Sequence, residues 1–310
     1  MRHESALSAL SLLADESANT GGRYASDLQR HPCFEPAAAG SHARIHLPVA
    51  PTCNILCRFC DRRLSASGDR PALTRKVLGP EEAPAIVARA QRLCPQLSVV
   101  GVAGPGDALA TPHALDALGR VRAQFPDLIG CLSTNGLRLA DNVAKIVAVG
   151  VRAVTVTINA LDPDVLVELC GGIVDDHRVI RRHEGARLLV AAQRTGLAAA
   201  VAGGLTVKVN AVLVPGVNDG HLGDIAREAS ALGASTMNVI PLIPQAELCD
   251  SPAPTCAEVD AAHRAVERHL PAMRHCRHCR ADACGKLGGV DFGAALCGEN
   301  AASSETFSHG

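Results

Sequence analysis

The sequence predicts an α/β protein in which six strand–helix units build one parallel sheet. Two observations carry this. Six apolar, β-branched runs alternate with segments of helical periodicity between Ile45 and Leu270, a rhythm that argues for parallel strands with right-handed crossovers. The polar and Gly-rich strings sit at the C-terminal ends of those strands, where parallel sheets gather ligands. Six units are too few for a closed eight-stranded barrel, so a partial (β/α)6 barrel and an open doubly wound sheet both remain.

The elements follow in order. Residues 1 to about 30 carry Ser, Asp, Gly and Asn with weak periodicity and read as a poorly ordered tail or short helix. A β-like run, Ile45 to Val49, leads into a cysteine cluster. A helix starts at Pro80, which suits a first turn, with Glu81 and Glu82 complementing the positive helix end. Ala83, Ile86, Val87, Ala90 and Leu93 form its apolar face. The strand Leu97 to Ala103 ends in Gly104-Pro105-Gly106-Asp107, and a helix over 112–125 precedes the strand Leu128 to Ser133. Asp141 is expected to cap the next helix, which Gly150 stops. After the strand Ala153 to Asn159, a long helical region over 162–203 is expected, with an irregular centre from Gly171 to Arg182. The strand Val207 to Val214, a helix from Asp219 to Leu232 and the strand Met237 to Ile243 follow. Thr255 and Glu258 form a capping box opening a last helix.

Composition narrows the function. Hydrophobic residues make up 47% of 310 but aromatics only 2%, so the core is aliphatic. A net charge of −1 gives no electrostatic case for a nucleic acid or membrane partner. The longest apolar run, Leu188 to Gly204, is broken by Gln193, Arg194 and Thr195. No signal-peptide pattern opens the chain, so a cytoplasmic protein is expected. In that setting thirteen cysteines point to metal or redox chemistry rather than disulfides.

Cys53-Asn-Ile-Leu-Cys57-Arg-Phe-Cys60 puts three thiolates on one short loop after a strand. Such a loop can bind three irons of a [4Fe–4S] cubane and leave the fourth open. An open iron can chelate the amino and carboxylate groups of S-adenosylmethionine (SAM), whose C–S bond is then cleaved by electron transfer. Zinc would instead want four ligands, commonly as paired C-x2-C elements.

The loop, the Gly-Pro-Gly turn and the β/α rhythm resemble the radical SAM superfamily, which Phe59 before the third cysteine also suits. Within it, the chain resembles the NifB family of nitrogenase cofactor maturases from about His31 to Gly289. The matching strings are His31-Pro32-Cys33-Phe34, Arg44-Ile45-His46-Leu47-Pro48-Val49-Ala50-Pro51 and Cys53-Asn54-Ile55. Ala103-Gly104-Pro105-Gly106-Asp107 and Cys131-Leu132-Ser133-Thr134-Asn135-Gly136 follow. Val207-Lys208-Val209-Asn210, Val214-Pro215-Gly216-Val217-Asn218-Asp219 and Cys276-Arg277-His278-Cys279-Arg280-Ala281-Asp282-Ala283 complete the set.

The resemblance implies a partial (β/α)6 barrel over 44–272, an N-terminal tail over 1–43 bearing Cys33, and a C-terminal CxxC tail over 273–310. It implies SAM, one SAM-binding [4Fe–4S] cluster on Cys53, Cys57 and Cys60, and two auxiliary [4Fe–4S] clusters. These would be fused with a SAM-derived carbide and an extra sulfur into the precursor of the nitrogenase cofactor, a lyase- or transferase-type reaction. Iron–sulfur cluster donor, electron donor and cofactor carrier proteins are the implied partners. Candidate auxiliary ligands are Cys33, His46, Cys131, Cys276 and Cys279. The last two have metal-binding C-x2-C spacing; His46 reads equally as a core histidine, and Cys33 and Cys131 as buried thiols. Gly104, Pro105, Gly106 and Asp107 read as a SAM-binding turn, with Thr134, Asn135 and Asn159 as hydrogen-bonding partners of SAM or as turn chemistry.

The chain departs from the family at one point. A family cysteine is expected between Asp61 and Pro71, but Ala66 stands there, and Asp69 replaces a Glu. Cys284 is an extra cysteine that could compensate, while Cys94, Cys170, Cys249, Cys256 and Cys297 read as incidental. Two competing readings keep a radical SAM enzyme with another substrate, or a non-catalytic iron–sulfur scaffold.

Overall fold

The computed structural model describes residues 28–61, 64–68 and 70–298. Most of the N-terminal tail, and Asp69, lie outside them. The chain runs β1 (Ala43–His46), β2 (Ile55–Cys57), α1 (Ala83–Leu93), β3 (Leu97–Val102), α2 (His113–Gln124), β4 (Ile129–Thr134), α3 (Leu139–Ala148) and β5 (Val151–Thr157). It continues through α4 (Pro163–Leu169), β6 (Cys170–Asp175), β7 (Arg178–Arg181), α5 (Arg182–Ala202), β8 (Thr206–Leu213), α6 (Leu222–Ala231), β9 (Thr236–Pro241), α7 (Cys256–Glu267), β10 (Cys284–Gly285) and α8 (Gly293–Cys297).

The six expected strands pair in parallel in the order β1-β3-β4-β5-β8-β9, and β10 joins the free edge of β1 antiparallel. Strand alternation sorts their side chains by face. Ile45, Val100, Leu132, Val154, Val209 and Val239 pack into the main core with the helices. Their neighbours Arg44, Gly101, Cys131, Thr155, Lys208 and Asn238 line one cavity instead. Side chains from all six strands meet around that cavity, so the sheet curls into a half-barrel with helices outside, rather than an open sheet covered on both faces. No helix among the described residues is long and apolar enough to cross a membrane.

Extensions close one end of the half-barrel and the gap between its edge strands. Leu28 packs on Val99, Ile129 and Ala153 with Phe34 beside them, filling the barrel near the N-terminal ends of its strands. Residues 28–34 thus fill the end of the barrel opposite its C-terminal face, and Cys33 and Phe34 reach the cavity from there. At the other edge, Met237 N donates to Pro271 O at 3.0 Å and Met273 N to Met237 O at 2.8 Å. The segment then crosses to β1, where His46 N donates to Ala283 O at 2.8 Å and Cys284 pairs with Ile45. The segment carrying Cys276 and Cys279 thus bridges the gap between the first and last parallel strands.

Two local expectations change. The irregular centre at 171–182 is a hairpin, β6–β7, which pairs antiparallel with β2 to form a small sheet. Ile173, Val174, Val179 and Ile180 favour strand. Asp176 and His177 both take positive φ, 45° and 62°, as a two-residue type I′ turn requires. Asp141 sits in the first turn of α3 rather than at its cap, which is Arg138. The Thr255–Glu258 capping box is present as expected.

Candidate active site

The cavity encloses about 320 Å³ and is lined from the N-terminal plug to the C-terminal bridge. Cys53, Cys57 and Cys60 enter it from one side, half-buried. Pairing holds their loop. Cys57 stands opposite Cys170 in the β2–β6 register, Val174 N donates to Asn54 O at 2.8 Å, and Arg58 N to Leu169 O at 2.9 Å. Cys170, read as incidental, is therefore a hydrogen-bonding neighbour of Cys57. That bond, burial and the nearby sulfurs of Cys170, Cys60 and Cys53 push the Cys57 thiol well up. Loading a metal here must displace protons.

The Gly-Pro-Gly-Asp turn grips the same loop. Gly106 N donates to Ala50 O and Asp107 N to Thr52 O, each at 2.8 Å. A Cβ on residue 106 would lie 1.9 Å from Thr52 O, so only glycine fits. The Asp107 carboxylate is buried and faces the β4 turn. It accepts from Leu109 N at 2.8 Å, Thr134 Oγ1 at 3.0 Å and Asn135 N at 2.5 Å. Burial raises its pKa despite these bonds. Asn135 Nδ2 in turn donates to Asn54 Oδ1 at 2.6 Å and lies 4.0 Å from Cys53 Sγ.

Asp107, Thr134 and Asn135 thus line the cavity, yet their polar atoms brace the cysteine loop. Asn159 does not line it. Its side-chain oxygen accepts from Val212 N at 2.8 Å and its carbonyl from Asn218 Nδ2 at 2.8 Å, tying the end of β5 to β8. Of the two readings offered for Asn159, SAM contact or turn chemistry, these bonds fit the local, backbone-tying one. Polar side chains that also line the cavity include Thr155, Thr157, Asn210 and Asn238, none of them among the expected site residues. Their signal was there: polar residues at every second position of otherwise apolar runs, as in Val-Thr-Val-Thr and Val-Lys-Val-Asn.

The remaining candidate ligands line the other half of the cavity. Cys131 and His46 converge over Gly101, where a Cβ would lie 2.6 Å from Cys131 Sγ and 3.7 Å from His46 Cδ2. His46 Nδ1 lies 2.9 Å from Arg280 O, so in the neutral ring it carries the proton and Nε2 keeps a free lone pair. Burial and Arg44 lower the His46 pKa to about 4, which keeps the ring neutral near pH 7. Burial pushes the Cys131 thiol up to about 12 and raises Cys33 as well. Cys276 accepts from Asn238 Nδ2 at 3.4 Å, and Cys279 from Arg44 Nη2 at 2.9 Å. Arg44 also donates to Gly285 O.

Cys284 belongs elsewhere. Paired with Ile45, it faces the outer helix layer, fully buried in the main core and outside the cavity lining. It does not compensate for the cysteine absent at Ala66, which is exposed.

The donor set fits iron–sulfur clusters. The eight candidate cysteine and histidine ligands share one cavity, and no three of them among the described residues converge on a single-ion position. A cubane presents its irons at separate corners, so its ligands need not converge. Four of the buried polar atoms without a partner among the described residues lie in this lining: His31 Nε2, Arg44 Nε, Asn210 Oδ1 and Asn238 Oδ1. Buried polar groups require partners, so these atoms mark room for a polar occupant.

Residues 47–229 match the Radical SAM superfamily. The chain is similar to the FeMo cofactor biosynthesis protein NifB of Methanocaldococcus jannaschii, 39% identical over 87% of this chain and 90% of that protein. It is 40% identical to NifB of Klebsiella pneumoniae over 89% of this chain but only 60% of that protein. It likewise spans 63% of NifB of Chlorobaculum tepidum, at 36% identity over 86% of this chain. Among solved structures, a radical SAM methyltransferase from Sphaerobacter thermophilus shares the fold at a TM-score of 0.51 and 19% identity, over 74% of this chain and 65% of that one. SuiB from Streptococcus suis does so at 0.52 and 14%, over 81% and 53%.

Proposed function

Since the chain belongs to the radical SAM superfamily and, within it, to the NifB family, we propose that it is a radical SAM enzyme of FeMo-cofactor biosynthesis. Its substrates on this reading are two [4Fe–4S] clusters, fused with a SAM-derived carbide and an extra sulfur. The observation that carries it is the placing of Cys33, His46, Cys131, Cys276 and Cys279 in the same cavity as Cys53, Cys57 and Cys60.

When bound, SAM and the cubane on Cys53, Cys57 and Cys60 supply reductive cleavage of a C–S bond and hence radical chemistry. The protein's work is positioning. The β2–β6 pairing and the Asn135–Asn54 bond fix the three-cysteine loop. Cys33, His46 and Cys131 form one wall for a substrate cluster, with the His46 ring held through Nδ1 so that Nε2 is free to ligate. An imidazole releases a cluster more readily than a thiolate, which suits a cluster meant for consumption. Cys276 and Cys279 offer two thiolates to the second, beside donors from Asn238 and Arg44. The reaction class is lyase- or transferase-type. Its partners would be an electron donor, an iron–sulfur cluster donor and a cofactor carrier protein of nitrogenase assembly, in the cytoplasm.

Anaerobic reconstitution tests the reading. Three cubanes give about twelve irons per chain, and a single-cluster enzyme with another substrate gives about four. Formation of 5′-deoxyadenosine with dithionite separates an enzyme from a scaffold. Maturation of apo-nitrogenase by the loaded protein together with the cofactor carrier then tests the product; loaded, SAM-cleaving protein that leaves apo-nitrogenase inactive in that complete mixture sinks the proposal.

A further inference from the structure

The cavity lining holds a buried cation that this reading leaves without a role. Lys208 stands on β8 and is 6% exposed. Its Nζ lies 3.4 Å from Cys33 O, 3.6 Å from Met273 Sδ and 4.9 Å from the centre of the Phe34 ring. Among the described residues no carboxylate oxygen comes within 4.0 Å of it. A carbonyl, a thioether and a ring face are weak compensation for an ammonium with three protons to donate. Methionine or leucine would fill this place without desolvating a charge, so a lysine here calls for an anion. Arg44, a second buried cation in this half, already has the Cys279 sulfur and the Gly285 carbonyl.

The groups within electrostatic reach of Lys208 are Cys33, Cys131, His46 and His31. The first three are the ligands proposed above for one substrate cluster. A reduced [4Fe–4S] core carries one positive charge, and two thiolates carry two negative ones. With a neutral imidazole as third ligand the assembly is an anion. Resting on the proposed function, we infer that Lys208 is a positioning residue for that cluster: its ammonium is the fixed counter-charge that retains the reduced, anionic form between Cys33, His46 and Cys131. The charge acts through space and Lys208 ligates no iron. It stabilises the reduced state over the oxidised one, and the loaded site over the empty one.

The test compares the full chain with Lys208→Gln, Lys208→Met and Lys208→Arg after anaerobic reconstitution. Iron and sulfide are counted, and each cluster's midpoint potential is read by EPR-monitored redox titration, with Cys33→Ala identifying the relevant signal. Lys208→Gln removes the charge while keeping a donor for Cys33 O, so it decides the question even where Lys208→Met does not fold. The neutral variants are expected to lose about four irons per chain, or to keep them with that cluster's potential moved negative. Lys208→Arg is expected to restore both readings. A Lys208→Gln protein matching the parent in iron and potential overturns the inference, as does a Lys208→Arg protein as deficient as Lys208→Gln, which would make the role one of packing. A parent chain that loads about twelve irons beside an unaltered Lys208→Gln sinks this inference alone; one that never exceeds about four sinks the cluster reading with it.

Discussion

Substituting Gly101 by alanine separates the ligand wall from the fold. The new Cβ would lie 2.6 Å from Cys131 Sγ, whereas its next contacts are ordinary, at 3.6 Å to Cys131 O and 3.7 Å to His46 Cδ2. Relief therefore requires the sulfur alone to retreat by about 1 Å, to the usual contact distance. Sγ is the tip of a one-torsion side chain, so it can turn about χ1 to another well or sit off-rotamer at about 1 kcal/mol. With some overpacking the total reaches about 1–2 kcal/mol. For a domain of this size that lowers Tm by only about 2–5 °C. The ligand, however, is now aimed away from the position it shares with His46. After anaerobic reconstitution Gly101→Ala should hold about eight irons per chain rather than about twelve. Iron and sulfide counting beside thermal unfolding by circular dichroism checks both halves. A variant with full iron content would show that Cys131 is not positioned by the Gly101 wall. A drop of 15 °C or so would show that the wall cannot yield as argued.

Other outcomes follow from the same geometry. Asp282 is buried and accepts from Arg75 N at 2.8 Å, Arg75 Nη1 at 3.0 Å and Arg280 Nε at 2.8 Å. Asp282→Ala strands the buried Arg280 and should cost about 3–5 kcal/mol by urea unfolding of the cluster-free chain. Burial alone would raise the Asp282 pKa, but Arg280 and Arg75 together hold it below the ordinary value. Its stabilisation is therefore complete above about pH 4 and fades as pH falls through the folded value. An Asp282→Asn chain showing the same acid profile as the parent would refute the linkage. Asp107→Asn sets an amide N–H against donors that now converge on a carboxylate and should cost about 2–4 kcal/mol while loosening the cysteine loop; unchanged unfolding and SAM-cluster content would count against that bracing role. Cys57→Ala is expected to abolish 5′-deoxyadenosine formation, and Cys276→Ala to keep it while losing an auxiliary EPR signal. Identical behaviour of the two variants would contradict the division of the cavity into two ends.

The sequence by itself determined the strand–helix order, the capping box at Thr255 and the three-cysteine loop, because each is encoded within a few neighbouring residues. Period-2 and period-3.6 patterns are local, and Cys53, Cys57 and Cys60 lie within eight positions. It did not find the hairpin at 170–181, whose strands are short and whose partner, β2, lies more than a hundred residues earlier. Only the tertiary structure decided which distant groups meet. It turned Cys284 outward by pairing it with Ile45, brought Cys170 beside Cys57, sent the N-terminal segment in from the barrel's lower end, and spent Asn159 on Val212. The physical reason is register. A residue's face depends on which strand it pairs with and on how the sheet curls, and a slip of one position exchanges cavity for core. Spacing along the chain carries no record of that choice.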